Sequence, residues 1–258
     1  MDLSDAIQAC RLRLLDLHFQ ANSGHLGGNF SCIDALVTLH HAVLRPEDAF
    51  VLSKGHAAGA LYVTLWSLGR IGEEELVTFT RDDSRLAGHP SASALNEVLF
   101  STGSLGHGPA LSCGLALAAR HKNVARRVFC LCSDGEWQEG SCWESLIFAV
   151  HQKLDNLVIM IDQNGWQGYG RTGDVVSYDD LTSRLAAFGA CVVSVDGHDP
   201  EAIRQSLATS HPGVPLVVLL NTVKGQGLPC ADTLASHYLP LTQEEYAAAH
   251  AKHKGRLP

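Results

Sequence analysis

The stretch Cys132 to Thr172, CSDGEWQEGSCWESLIFAVHQKLDNLVIMIDQNGWQGYGRT, decides the fold. It opens at the end of an apolar run, Val128 to Cys132, that reads as a strand, and it turns at Asp134-Gly135. From Glu139 to Lys153, the residues Trp143, Leu146, Ile147 and Val150 recur at spacings of three and four, the period of a helix with one buried face. The run Leu157 to Ile161 restores a strand, and Asp162-Gln163-Asn164-Gly165 closes it. Strand, helix and strand in that order make the unit of a parallel α/β sheet.

Outward from this unit the alternation continues. Leu181 to Phe188 predicts a helix, Cys191 to Val195 a strand, Pro200 to Ser210 a helix and Leu216 to Leu220 a strand. On the N-terminal side an amphipathic helix carries Leu3, Ile7, Cys10, Leu14 and Leu17. The glycine-rich Ser23 to Gly28 reads as a loop, and Ser31 as the cap of a second helix. Phe50 to Leu52 is a short apolar run before a helix from Ala57 to Leu68, which Gly69 ends. Glu73 to Thr80 reads as a short helix, Arg81 to Ser93 as an exposed loop, and Ala110 to Arg120 as a helix leaving a second glycine-rich turn, Thr102 to Gly108. The expected fold is α/β, a doubly wound, mostly parallel sheet with helices on both faces. Residues 1–258 read as a single domain, with 239–258 as a C-terminal docking tail.

Composition bounds the function. A chain 46% hydrophobic and 18% charged is globular, and a net charge of -8 without a basic stripe argues against nucleic acid as a partner. No apolar run reaches membrane-spanning length, and MDLSDAIQAC has acids where a secretory leader has basic residues, so a cytoplasmic location is expected. The eight cysteines, most of them inside apolar patterns such as Cys10, Cys32, Cys113, Cys130 and Cys191, include no C-x-x-C pair, and buried thiols are the expected state.

The chemistry lies at the strand ends. Ligands of open parallel sheets bind beyond the carboxyl ends of the strands, where Asp134 and Asn164 follow two successive strands. A carboxylate and an amide oxygen suit a hard cation such as magnesium, which completes its octahedron with phosphate and water. Gly135 lets backbone approach phosphate, and the helix after it offers amide donors. Asp-Gly and Asn-Gly are also the commonest turn dipeptides, so the pair alone leaves both readings open. The 14 histidines tip the balance: His25, His56, His89, His107 and His198 each follow a glycine in an expected loop. Histidine donates to phosphate and hydroxyl oxygens and exchanges protons near neutral pH. His198 also reads simply as a helix cap.

Seven motifs in order resemble the N-terminal, diphosphate-binding half of transketolase: S-G-H-x-G-G (Ser23 to Gly28), S-K-G-H-A (Ser53 to Ala57), G-H-P (Gly88 to Pro90), T-G-S-L-G-H-G (Thr102 to Gly108), D-G-E-x-x-E-G (Asp134 to Gly140), D-x-N (Asp162 to Asn164) and K-G-x-G (Lys224 to Gly227). The resemblance spans almost the whole chain. It implies a thiamine diphosphate enzyme that moves a two-carbon ketol unit from a ketose, or ketose phosphate, to an aldose. It implies Mg2+, or Ca2+ or Mn2+, held by Asp134, Asn164 and the backbone carbonyl of Trp166. It also implies diphosphate contacts from Gly135, His56 and His237, and an aminopyrimidine lying against Gly103, Ser104 and Leu105. His25 and His89, with His237, would face substrate hydroxyls and move protons, and Glu139 would link two active sites at a subunit interface. As a helix N-terminal carboxylate, Glu139 is also explained by the helix dipole.

The family's pyrimidine-binding half, with the glutamate that activates the cofactor, is absent from this chain. The expectation is therefore a split enzyme whose partner is a C-terminal transketolase subunit, the two forming an α2β2 heterotetramer. Alternatives are a deoxyxylulose-phosphate synthase-like carboligase and a non-catalytic partner subunit. The chain departs from the usual pattern at Leu26 (proline), at Ser133 (first glycine of G-D-G) and at Tyr238 (glycine after histidine).

Overall fold

Side chains alternate across a strand, and the apolar runs use both faces. The computed structural model, which describes residues 2–177 and 180–255, puts Phe50, Leu52, Phe129, Leu131, Val158, Met160, Val218 and Leu220 in one buried cluster. Their neighbours Val51, Cys130, Cys132, Ile159, Ile161, Val217 and Leu219 belong to a second cluster on the other face. A strand buried on both faces reads as a continuous apolar run, which is why the sequence shows runs here and not alternation.

In chain order, α1 (Leu3–Ala21) and α2 (Leu26–Ala42) precede β1 (Ala49–Leu52), α3 (Ala58–Ser67), α4 (Glu73–Leu76) and α5 (Gly108–His121). The central unit is β2 (Val128–Ser133), α6 (Gly140–His151) and β3 (Leu157–Gln163), followed by a small antiparallel hairpin, β4 (Trp166–Gln167) and β5 (Gly170–Arg171). Then come α7 (Thr172–Val175), α8 (Leu181–Ala187), β6 (Cys191–Asp196), α9 (Pro200–Ser206), β7 (Leu216–Asn221), α10 (Ala235–Tyr238) and α11 (Gln243–Lys254). The five-stranded sheet has the order β1-β2-β3-β7-β6, with every pair parallel. Helices α1, α2, α3 and α9 bury their apolar residues on one face, and α5, α6 and α8 on the other, as expected for a doubly wound sheet.

Register positions the site. Ser133 pairs with Asp162, and Gln163 with Asn221, so β2, β3 and β7 present their carboxyl ends at one edge. Two backbone bonds extend this edge past the strands, Asp134 N to Asp162 O (3.1 Å) and Thr222 N to Gln163 O (3.3 Å).

The glycine-rich Ser23 to Gly28 is only partly the expected loop. Helix α2 starts at Leu26, five residues before Ser31, and takes in Gly27 and Gly28. Packing overrides glycine's low helix propensity: a Cβ on Gly27 would run into Ser236 Oγ, and one on Gly28 would lie 3.3 Å from His56 Cδ2. Leu26 is the first helical residue, a place where proline is also compatible, and it is buried. The helix expected from Glu139 to Lys153 runs from Gly140 to His151, after a 3-10 turn at Gly135–Gln138. All eight cysteines are free; of those expected to be buried, Cys191 is only half-buried because β6 is an edge strand. Among the described residues no helix is long and apolar enough to cross a membrane.

Helix α11 is fixed by a capping box between Thr242 and Glu245. It packs on α1: Tyr246 stacks on Phe19 at 4.1 Å and donates its hydroxyl to Asp16 (2.8 Å), while Ala249 and His253 are buried. Thr242→Ala removes the cap and is expected to lower stability by about 1 kcal/mol, read as a lower urea midpoint.

Candidate functional site

Asp134 leaves β2 at the start of the 3-10 turn, and its buried carboxylate holds the next strand's exit in place. Oδ1 accepts from Gly135 N (2.9 Å), and Oδ2 accepts from Gly165 N (2.8 Å) and Thr172 Oγ1 (3.1 Å). Asn164 Oδ1 accepts from Trp166 N (3.0 Å), and its Nδ2 donates to Asp162 Oδ2 (3.0 Å). The two residues that the sequence places at successive strand ends thus meet through the Asn164-Gly165-Trp166 turn. Gly135 keeps this floor open: a Cβ there would lie 2.9 Å from Gln167 Cβ.

Beneath them lies a buried ion pair, Lys54–Asp162, with neither side chain exposed. Lys54 Nζ also donates to Gly28 O (2.8 Å), while Asp162 accepts from Ser31 Oγ (2.5 Å) and Thr222 Oγ1. Two buried ammoniums, Lys54 and Lys224, therefore act on the carboxylates of Asp162 and Asp134. Asp162 is held below the usual carboxylate range, against its own burial, by Lys54 and its hydroxyl donors. Burial and the nearby Asp162 instead push Asp134 up to about 6. A cation bound beside Asp134 would favour its charged form. Among the described residues no group of three or more His, Cys, Asp or Glu could hold a metal, so a cation at Asp134 would draw on amide and backbone oxygens. Such a donor set suits a hard cation.

Above the floor is a cavity of about 350 Å3 with a basic lining: His25, His56, His89, His237 and Lys224. The rings of His25 and His237 are 4.9 Å apart, those of His25 and His56 5.6 Å, and those of His25 and His89 6.1 Å. Burial, with neighbouring cationic groups, lowers the pKa of His25 and of His56, and takes His237 to about 3. Lys224 falls to about 8 through burial and the charge of Lys54. Its ammonium lies 2.9 Å from His237 Nδ1, which must therefore accept, so the neutral ring carries its proton on Nε2. Among the described residues His25 Nδ1, which is buried, has no hydrogen-bond partner, and His25 itself stands in the left-handed region at φ 61. A strained residue with an unsatisfied nitrogen, facing a crowd of basic groups, fits an anionic, hydroxylated ligand.

Gly103 and Leu105 line the cavity; Gly103, at φ 136, leaves room for His89, whose Cδ2 would lie 2.8 Å from a Cβ there. Ser104 is exposed and does not line it. Glu139 is exposed on the cavity's edge, at the residue before α6, with no side-chain capping bond. Trp166 and Gln167 complete the floor. His107 and His198 are not part of the lining. Asp199, not His198, caps α9, and His198 joins Asp34 Oδ2 (2.8 Å) in the buried Arg11–Asp34 pair.

Sequence reasoning assigned no role to Lys54, Asp162, Lys224 or Glu136, although all lie within quoted motifs. Glu136 is fully buried and ties two loops together, accepting from Ser53 Oγ, Gly106 N (2.9 Å) and Ser133 N (3.2 Å). The available signal was a charge inside an apolar context: Lys54 sits between a buried strand and a helix without charged residues.

Fold and cavity together define a parallel α/β domain with a cavity lined by histidines and a lysine at the carboxyl ends of its strands. A family model, the thiamine diphosphate binding domain of transketolase, matches residues 3–255. The chain is 38% identical to one subunit of the apulose-4-phosphate transketolase of Actinobacillus succinogenes, over 88% of this chain and 86% of that protein. It is 33% identical to a 6-deoxy-6-sulfo-D-fructose transketolase subunit from a Clostridium species, over 98% of this chain and 96% of that one. Among solved structures, transketolase from Leishmania mexicana superimposes with a TM-score of 0.93 at 27% identity, covering 98% of this chain but only 41% of that one. The chain belongs to the transketolase family, a family of transferases, and corresponds to its thiamine diphosphate binding domain.

Proposed function

We propose that this chain is the thiamine diphosphate-binding subunit of a two-component transketolase that moves a ketol unit from a ketose or its phosphate to an aldose. The observation that carries this reading is the union at one cavity floor of a buried carboxylate, Asp134, joined through the Asn164-Gly165-Trp166 turn, with a lining of four histidines and Lys224. Asp134, Asn164 and the Trp166 carbonyl would hold Mg2+, or Ca2+ or Mn2+ in its place. Gly135, His56 and His237 would hold the diphosphate, with Gly103 and Leu105 at the aminopyrimidine; Ser104, exposed outside the lining, drops out of that contact. Thiamine diphosphate, when bound, supplies the electron sink for cleaving a ketose carbon–carbon bond.

The chain's own residues do the rest. His237, with its proton on Nε2, donates to an oxygen in the cavity, while Lys224 holds its other nitrogen. His25 and His89 face the same space and exchange protons with substrate hydroxyls. Glu139, exposed at the cavity edge, meets the partner. That partner is a C-terminal transketolase subunit carrying the pyrimidine-binding domain, in an α2β2 heterotetramer. The chain would act as one domain with 239–258 as its docking tail; α11 packs on α1, and residues 256–258 of that tail lie outside the described residues. Eight free thiols support a reducing, cytoplasmic setting.

Ketol transfer from a ketose phosphate to an aldose phosphate tests the division of labour. The chain mixed with the separately encoded pyrimidine-binding subunit is expected to be active, and each component by itself inactive. Full-rate transfer by this chain alone would overturn the split reading.

A further inference from the structure

We infer that Tyr238 is a positioning residue: it clasps the segment carrying His237 to the β4–β5 hairpin and so holds both walls of the cavity in one arrangement. Its functional part rests on the reading above.

The two walls are short and irregular. The hairpin contributes Trp166, Gln167, Gly168 and Tyr169 to the cavity, and the segment through α10 contributes His237 and Tyr238. Among the described residues no sheet ladder joins them, since β4 pairs only with β5. Side chains join them instead. Tyr238 Oη donates to Gly168 O at 2.6 Å, and its ring lies edge-on to His237 at 4.6 Å. At the other end of the segment, Asp232 accepts from Trp166 Nε1 (2.6 Å) and faces Arg171 (3.4 Å), whose guanidinium lies 4.5 Å above the Trp166 ring.

Space around Gly168 fits this contact. A Cβ on Gly168 would lie 2.8 Å from Tyr238 Oη and 3.5 Å from His237 Nε2. The backbone that meets the phenol is therefore the one next to the proton-bearing nitrogen of His237. Tyr238's own backbone is seated as tightly, since a Cβ on Gly24 would lie 2.5 Å from Tyr238 O, and His25 N donates to His237 O at 2.9 Å. Glycine at position 238 would supply the backbone but no link across the mouth. Tyrosine joins the wall that carries the Trp166 carbonyl to the wall that carries His237.

The test uses the full chain and two readouts. The first is the 15N signature of the His237 ring, assigned by its loss in His237→Gln. Wild type is expected to show a single tautomer protonated at Nε2. Tyr238→Phe, which removes only the hydroxyl, and Tyr238→Gly are expected to move it toward averaged tautomers as contact with Lys224 loosens. The second is calorimetric titration with thiamine diphosphate at fixed magnesium. Tyr238→Phe is expected to raise Kd by roughly 3–10-fold, the scale of one net hydrogen bond. Combining it with Asp232→Ala is expected to raise Kd by more than the product of the single effects, because both links hold the same walls. An unmoved His237 signature in both Tyr238 variants would overturn the inference whatever the affinities. If wild-type chain fails to bind thiamine diphosphate, the cofactor reading fails, and the ring signature alone decides the clasp.

Discussion

Lys54→Met is expected to destabilise the fold by roughly 3–5 kcal/mol, the scale for breaking a buried ion pair from one side. A domain has only about 5–15 kcal/mol in total, so the variant sits at the edge of unfolding. The reason is geometric. Asp162 is fully buried on β3, and among the described residues Lys54 is the cation paired with it. Without that ammonium, Asp162 loses its paired cation, and Lys224 is left to act on it and Asp134 from a distance. Urea unfolding checks this as a lower midpoint at an unchanged slope. Lys54→Met combined with Asp162→Asn removes both charges and is expected to recover a large part of the loss. Failure to recover would mean that Lys54 stabilises chiefly through Gly28 O (2.8 Å) and packing.

Asp134→Ala is expected to abolish the magnesium dependence of thiamine diphosphate binding. The loss in affinity should exceed the roughly 10–100-fold typical of an outer-shell partner of a metal. Calorimetry with and without magnesium reads it directly, and an unchanged magnesium effect would remove Asp134 from the site. The same substitution has the opposite sign for the metal-free fold. Burial and Asp162 raise the pKa of Asp134 from 3.8 to about 6, so the folded chain holds that proton more tightly than the unfolded chain. Its stabilising contribution is fully present below about pH 4 and is lost as pH rises through about 6, an effect of about 3 kcal/mol. Between pH 4 and pH 7 the metal-free variant therefore gains on wild type by that amount. The histidines with lowered pKa, among them His56, His25 and His237, act in the other direction. Their contribution is present above about 6.5 and is lost as pH falls, but it is common to both proteins and cancels in the difference.

Much of the fold was legible because the apolar runs of β2, β3 and β7 are bounded by turn residues and separated by helical periodicity. The positions of Asp134 and Asn164 followed from the strand-end rule. What escaped the sequence was non-local. Gly27 and Gly28 look like loop residues, and only the approach of Ser236 and His56, from distant parts of the chain, explains why they are helical. Lys54 and Asp162 are 108 residues apart in the sequence, and no periodicity pairs a lysine with a particular aspartate. The family resemblance did place the histidines together. It gave no tautomer for His237, because that depends on one contact from Lys224.

The order β1-β2-β3-β7-β6 carries a consequence for how the protein is made. Leu52 leads out of β1, yet its neighbour β2 begins at Val128, and β7 inserts between β3 and β6 only after β6 has been synthesised. The cavity draws on residues from His25 to Tyr238. A nascent chain therefore has no complete cavity to offer until Tyr238 has left the ribosome, and parallel pairings over such separations close slowly.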